Sequence, residues 1–275
     1  MPWRRARVGE HTVRRLSFER RLVAESLSAL PAGHNFMALL ELDVTSARAT
    51  LRALRRGGSS ASLFAYLVKT FAVTLTRFPE LNAIPGRRGI VEFKEIDVSL
   101  PVELATESRR FPRQIVIRDA ANRRLEEIAD EVALARASFE ESRVAGRVDA
   151  ADRRTMRLAL FLPGFVRRAL IRSLTRDPFT VKRRSGTTFV TSVSSSATGD
   201  GFIVPYMAGP KAVSLAIGPV TRRAKVVGDE IVIRQCASVT LTFNHDLVDG
   251  APAARFAARF RKAVEDGEEV ANVGP

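Results

Sequence analysis

Residues 240–256 read "TLTFNHDLVDGAPAARF", and two periodicities meet inside this stretch. On the N-terminal side apolar residues alternate, so Val239, Leu241, Phe243 and His245 fall on one face of a strand. From Gly250 onward Ala253, Phe256, Ala257, Phe260 and Val264 recur at helical spacing, with Pro252 in the first turn where its missing N–H is not needed. His245 therefore stands where a strand ends and a helix is about to begin. Of the three histidines, His11, His34 and His245, only the last has such a frame. A histidine closing an apolar face is often a satisfied core residue. Asp249, four residues on, serves equally well as a helix N-cap worth about 1 kcal/mol. Taken alone, this spacing leaves both the packing and the chemical reading open.

Working outward, strand and helix patterns intermix with no repeat and no dividing linker, which predicts one α/β domain. Helical spacing covers 12–30, closed by Pro31, and resumes over "SARATLRALRR". Strands are expected over "FMALLELDVT" (36–45), over the continuous run "IVEFKEIDVSLPVEL" and over "RQIVIRDA". "GGSS" (57–60) is a turn in which Ser60 is the expected cap of "ASLFAYLVKTFAVTLTRF", a helix apolar nearly all round and hence buried. "NRRLEEIADEVALARASFEESR" reads as a long amphipathic helix. "TTFVTSVSSSATGDG", "KAVSLAIGPV" and "EIVIRQCASVTLTF" read as further strands. Residues 144–180 stand apart as an atypical basic and apolar helical insertion. There Phe165, Val166, Ala169, Leu170 and Leu174 are expected on one side and Arg167, Arg168, Arg172 and Arg176 largely on the other. A helix with a solvated basic face is the plain reading, and peripheral contact with an anionic membrane, or a lid over an apolar pocket, is the sharper one.

The composition narrows the function. One cysteine, Cys236, excludes a disulfide framework and a cysteine-rich zinc site, so no metal is expected, and it suits a reducing cytoplasm. No apolar run reaches the length of a transmembrane helix, and the basic start, residues 1–11, lacks the apolar core of a secretory signal. The net charge of +14 raises nucleic acid, but the arginines are scattered in pairs, without interleaved aromatics or a recognition motif. A phosphate-bearing small molecule fits that charge better.

The flanks of His245 decide between packing and chemistry. "LTFNHDLVDGAPAARF" resembles the active-site segment of the catalytic domain of dihydrolipoamide acyltransferases, the family that serves 2-oxoacid dehydrogenase complexes and is related to chloramphenicol acetyltransferase. "LELDVTSARATLR", "FPELNAIP", "VIRDAANRRLEEIADEV", "TTFVTSVSS" and "GPKAVSLAIGPV" follow the family's order, so the resemblance runs from about residue 12 to 275. It implies a chloramphenicol acetyltransferase-like mixed sheet with packed helices, in a homotrimer whose active sites lie between subunits. It implies His245 as general base, a task for which a neutral imidazole titrates in the right range. It implies a serine as oxyanion donor, which "TTFVTS" places at Ser192, with Ser194, Ser195 and Ser196 as rivals. Asp249 matches a residue that holds the histidine loop through an arginine, and Arg52 lies one residue beyond that arginine's place.

Departures from the family bear on the substrates. No lipoyl domain or Ala/Pro-rich linker is seen in the sequence, Asn244 replaces an acidic residue or second histidine, and Val193-Ser194-Ser195 replaces an Asn-Leu-Gly turn. The expectation is a free-standing transferase with a coenzyme A thioester as acyl donor and a thiol, hydroxyl or amine acceptor. A separate lipoyl or carrier protein as partner, and a non-catalytic ligand-binding or scaffold member, are the alternatives. Retention of His245 and Ser192 speaks against the last.

Overall fold

The computed structural model describes residues 12, 18–30, 33–102, 113–144, 162–193, 199–207 and 209–271. The extension at 1–11, Pro31, residues 145–161 of the basic segment, and Ser194, Ser195 and Ser196 lie outside them. In chain order the elements are α1 (Phe18–Ala29), β1 (Asn35–Asp43), α2 (Thr45–Arg56), α3 (Leu63–Leu75), β2 (Ala83–Gly86), β3 (Gly89–Glu92), β4 (Val98–Val102), β5 (Arg113–Ile117), α4 (Leu125–Val144), α5 (Gly164–Thr175), α6 (Pro178–Ser185), β6 (Thr188–Ser192), β7 (Val213–Val227), β8 (Glu230–Asn244), α7 (Gly250–Asp266) and α8 (Glu268–Ala271). Among the described residues six strands form one mixed sheet in the order β1-β8-β7-β6-β4-β5, while β2 and β3 pair as a separate hairpin. The pairs β4–β6 and β6–β7 are parallel and the others antiparallel.

One face of the sheet carries the core. Val239, Leu241 and Phe243 alternate inward along β8 and are buried, as are Val213, Leu215 and Ile217 on β7. Against them pack α3, with nine of its 13 residues buried, and α7, whose stripe of Ala253, Phe256, Ala257, Phe260, Ala263 and Val264 is also buried. Tyr66 donates from its hydroxyl to Val264 O (2.7 Å), which ties the start of α3 to the end of α7. The cap of α3 is Ser62, which accepts from Ala65 N, and not Ser60. The helix starts two residues later because Ser59 spends its hydroxyl oxygen on Ala61 N and holds 59–61 in a turn.

The run expected as one strand over 90–104 is broken. Asn82 Nδ2 donates to Phe93 O (2.6 Å) and Glu95 O (3.0 Å), which draws the main chain out of strand pairing. Asp97 then enters the protein almost completely buried. Burial disfavours its charge, but donors from Asp119 N (3.0 Å), Arg118 (2.7 Å) and Lys182 (3.0 Å) outweigh that and hold the carboxyl below its usual range. Its carbonyl accepts from Thr187 N and Thr188 N, fixing β6 beside β4. Gly186 makes that approach possible: its φ is +66° and a Cβ there would sit 2.5 Å from Asp97 O. Lys211, just before β7, completes the junction by donating to Ser99 Oγ (2.8 Å), Thr188 O (3.0 Å) and Ser185 O. Burial pushes this ammonium down to about 7, against the pull of Asp97.

One arginine of α5 leaves the basic face expected to be solvated. Arg167 turns inward and meets Glu25 of α1 with both ends of its guanidinium (2.7 and 2.6 Å), while Phe165 is 69% exposed. An acidic residue on the neighbouring helix overrides the solvation of one arginine, which periodicity cannot reveal. After α5 a second helix, α6, starts at Asp177, whose carboxylate accepts from Thr180 N.

Candidate active site

His245 follows the last residue of β8. A column of rings leads to it from the core: Phe71 meets Phe256 edge-on (5.8 Å), Phe256 meets Phe243 (6.2 Å), and Phe243 stacks on Phe36 (5.4 Å). Phe36 in turn holds the imidazole of His245 at 5.1 Å. The ring is thus packed on one side and open on the other, with 54% of the side chain exposed. A buried core histidine, the packing alternative, would have no such open side.

The turn after His245 has its amides occupied one by one. Asn244 N donates to Ala212 O (2.9 Å), His245 N to His34 O (2.7 Å), Asp246 N to Asn244 Oδ1 (3.1 Å), and Leu247 N and Val248 N to Asn244 O (3.0 Å each). Asn244 is 4% exposed, so the asparagine that departs from the family pattern is a buried turn former. Gly33 lies against it, and a Cβ there would meet its side chain at 2.7 Å. Asp249 occupies the N-cap position of α7 but makes no capping hydrogen bond, and its carboxylate lies 3.9 Å from His245 Nδ1. Arg52 is exposed on α2, and no ion pair joins it to Asp249 among the described residues of one chain.

Ser192 closes β6, with its side chain half-buried. It is level with Ile217 of β7, which is level with Val239 of β8. From Val239 to His245 the strand runs on for about 20 Å, at ~3.3 Å per residue, with two strand spacings of ~4.8 Å to cross as well. Within one chain Ser192 and His245 therefore cannot act on one carbonyl. A copy of the chain that brought its Ser192 to this His245 would complete the set.

Sequence reasoning passed over His34 and Asp246. The antiparallel register that pairs Asn35 with Asn244 sets residue 34 against residue 245, and His34 Nδ1 donates to Asp246 Oδ1 at 2.7 Å. That hydrogen bond raises the His34 pKa and lowers that of Asp246. Only the strand pairing, which the sequence does not print, could have flagged the two residues. Beside Asp246 opens a cavity of about 420 Å³, lined by Gly33, Pro85, Ile90, Gly209, Asn244 and Asp246 among others. Among the described residues no group of acidic, histidine or cysteine side chains could hold a metal ion.

Residues 165–271 match the model of the 2-oxoacid dehydrogenases acyltransferase catalytic domain. The lipoamide acyltransferase component of the branched-chain alpha-keto acid dehydrogenase complex of Bacillus subtilis is 23% identical over 86% of this chain and 47% of its own length. The chain thus spans less than half the length of the curated relatives it matches. The cubic core of the pyruvate dehydrogenase multienzyme complex superposes with a TM-score of 0.70 at 16% identity, covering 98% of both chains. The dihydrolipoamide acetyltransferase of Azotobacter vinelandii gives 0.69 at 18% identity over the same 98% of each. These superpositions establish the fold, a mixed α/β sheet of the acyltransferase-core type. The Azotobacter structure belongs to work on a serine, a histidine and an asparagine in that enzyme's catalytic mechanism, the asparagine four residues after the histidine.

Proposed function

We propose that this chain, which is similar over residues 165–271 to the catalytic domain of 2-oxoacid dehydrogenase acyltransferases and shares their fold, transfers an acyl group directly from a thioester to a thiol, hydroxyl or amine. The observation that carries the reading is the placement of His245, propped on Phe36 with its open side to solvent and with Asp249 four residues on. The imidazole takes the proton of the acceptor as that atom attacks the thioester carbon. The carbonyl oxygen becomes an oxyanion, to which the Ser192 hydroxyl donates. Collapse of the intermediate expels the thiolate, which takes the proton back from the imidazolium. No acyl-serine forms, and atoms and charge balance over the cycle.

Ser192 and His245 come from different copies in this account. A homotrimer fits, because each copy offers one serine edge and one histidine edge that a closed ring can match. Exposed apolar residues support assembly: Met37 and Leu39 on the edge strand β1, and Ile231 and Ile233 on the β7–β8 hairpin. Arg52, unpaired with Asp249 inside one chain, is assigned to the same contact as its partner.

The donor we propose is a coenzyme A thioester used by a free-standing transferase, since a net charge of +14 favours a ligand with several phosphates. A lipoyl-borne thioester on a separate protein is the second reading, favoured by relatives named as lipoamide acyltransferases. Competing acyl-coenzyme A against acyl-dihydrolipoamide as donors separates the two. In either case Ser192→Ala should lower turnover by about 10²–10³ with the fold intact. An unchanged rate would remove Ser192 from the mechanism.

A further inference from the structure

His34 touches both members of the dipeptide His245–Asp246. Its carbonyl accepts from His245 N (2.7 Å) and its ring Nδ1 donates to Asp246 Oδ1 (2.7 Å). The first contact is main-chain and belongs to the continuation of the β1–β8 pairing. The second is made by side chains alone, at the surface, with His34 88% and Asp246 50% exposed. An exposed pair of this kind adds little to global stability, so its effect is local. It falls on a turn whose inner side is already fixed by the buried Asn244 and whose outer side carries the imidazole. Asn35 Nδ2 donates to Met207 O (3.1 Å), which anchors the strand end from which His34 reaches out.

We infer that His34 is a positioning residue for His245: by gripping Asp246 it fixes the turn that follows the base, and with it the direction in which the imidazole faces. This rests on the assignment of His245 as base. His34 itself does not touch the reacting atoms. The donor must be at the Nδ1 position, three bonds from Cα, which an asparagine amide reproduces and an alanine does not.

The test uses the full chain in its native assembly, with His34→Ala, His34→Asn and Asp246→Ala. His34→Ala and Asp246→Ala should each lower kcat by about threefold to tenfold, below the roughly 10²-fold that an ångström of misplacement brings. In His34→Ala, KM for the acyl donor and the melting temperature should stay put. The double variant should be no worse than the worse single one, since both remove the same contact. His34→Asn should restore kcat. Independently of activity, amide hydrogen exchange at residues 245–247 should quicken in His34→Ala and return to the wild-type rate in His34→Asn. Wild-type exchange and kcat in His34→Ala would overturn the inference, as would a His34→Asn protein as defective as His34→Ala. If the wild type transfers no acyl group, the reading of His245 fails, and the exchange rates still decide whether His34 holds the turn.

Discussion

Two inactive proteins should make an active one. His245→Ala keeps its serine edge and Ser192→Ala keeps its histidine edge, and the roughly 20 Å between these positions in one chain means neither can repair itself. When equal amounts are dissociated and reassociated at random, a site is whole only where a serine edge from the first variant meets a histidine edge from the second. Half of the edges qualify on each side, so about one quarter of the sites recover in any closed assembly with one interface per site. Each variant alone should show at most about 10⁻² of wild-type turnover. Mixing should therefore raise the activity by more than an order of magnitude. Release of free thiol from an acyl-thioester reads the effect, and tags on the two variants verify that mixed oligomers formed. A second arm checks the arithmetic: wild type mixed with the double variant should also give about one quarter of wild-type activity per chain, whereas sites contained in single chains would give about half. Mixed oligomers with no recovery in the first arm would refute the shared site.

Three further outcomes follow from the geometry. Lys211 has a folded-state pKa pushed below its unfolded value of 10.5, to about 7, so between those values the unfolded chain binds the extra proton and stability rises with pH. Lys211→Met should lose that rise, which amounts to at most roughly 5 kcal/mol and less by whatever the three hydrogen bonds to the ammonium return; parallel urea curves for the two proteins between pH 7 and 10 would show it as a difference. Gly186→Ala should destabilise by about 2 kcal/mol or more, because a Cβ there collides with Asp97 O at a positive φ; a melting temperature equal to wild type would contradict the β4–β6 junction as described. Phe36→Ala should cost about 3 kcal/mol at a partly buried position and lower kcat as well, since it removes the ring that props the imidazole; loss of stability with unchanged kcat would separate packing from catalysis.

The strand–helix join around His245 was legible because it rests on local periodicity: β8 ends at Asn244 and α7 starts at Gly250, where the pattern changes from two to 3.6. Ser192 was named through the family resemblance alone, and the structure puts it at the end of β6. What the sequence hid is what depends on pairing. The register of β1 on β8 brings His34 to Asp246 across 212 positions, and no local signal marks either residue. The break between β3 and β4 hides as well, because Asn82 and Asp97 act through side-chain hydrogen bonds that no periodicity records. Arg167 looked like part of a solvated face until Glu25 supplied its counter-charge. The capping error at Ser60 is smaller: three candidate serines crowd 59–62, and the choice turns on which hydroxyl is already engaged.

A base at His245 has a direct consequence: without its imidazole, acyl transfer should fail while the fold stands. The most direct measurement is free-thiol release from acetyl-, longer-acyl- and aryl-coenzyme A, and from acyl-dihydrolipoamide, by wild type and His245→Ala, against a panel of thiol, alcohol and amine acceptors. The expected result is acceptor-dependent release by the wild type, reduced by about 10² or more in a variant that still folds and assembles. Equal release by His245→Ala, or none by the assembled wild type with any donor and acceptor, would contradict it.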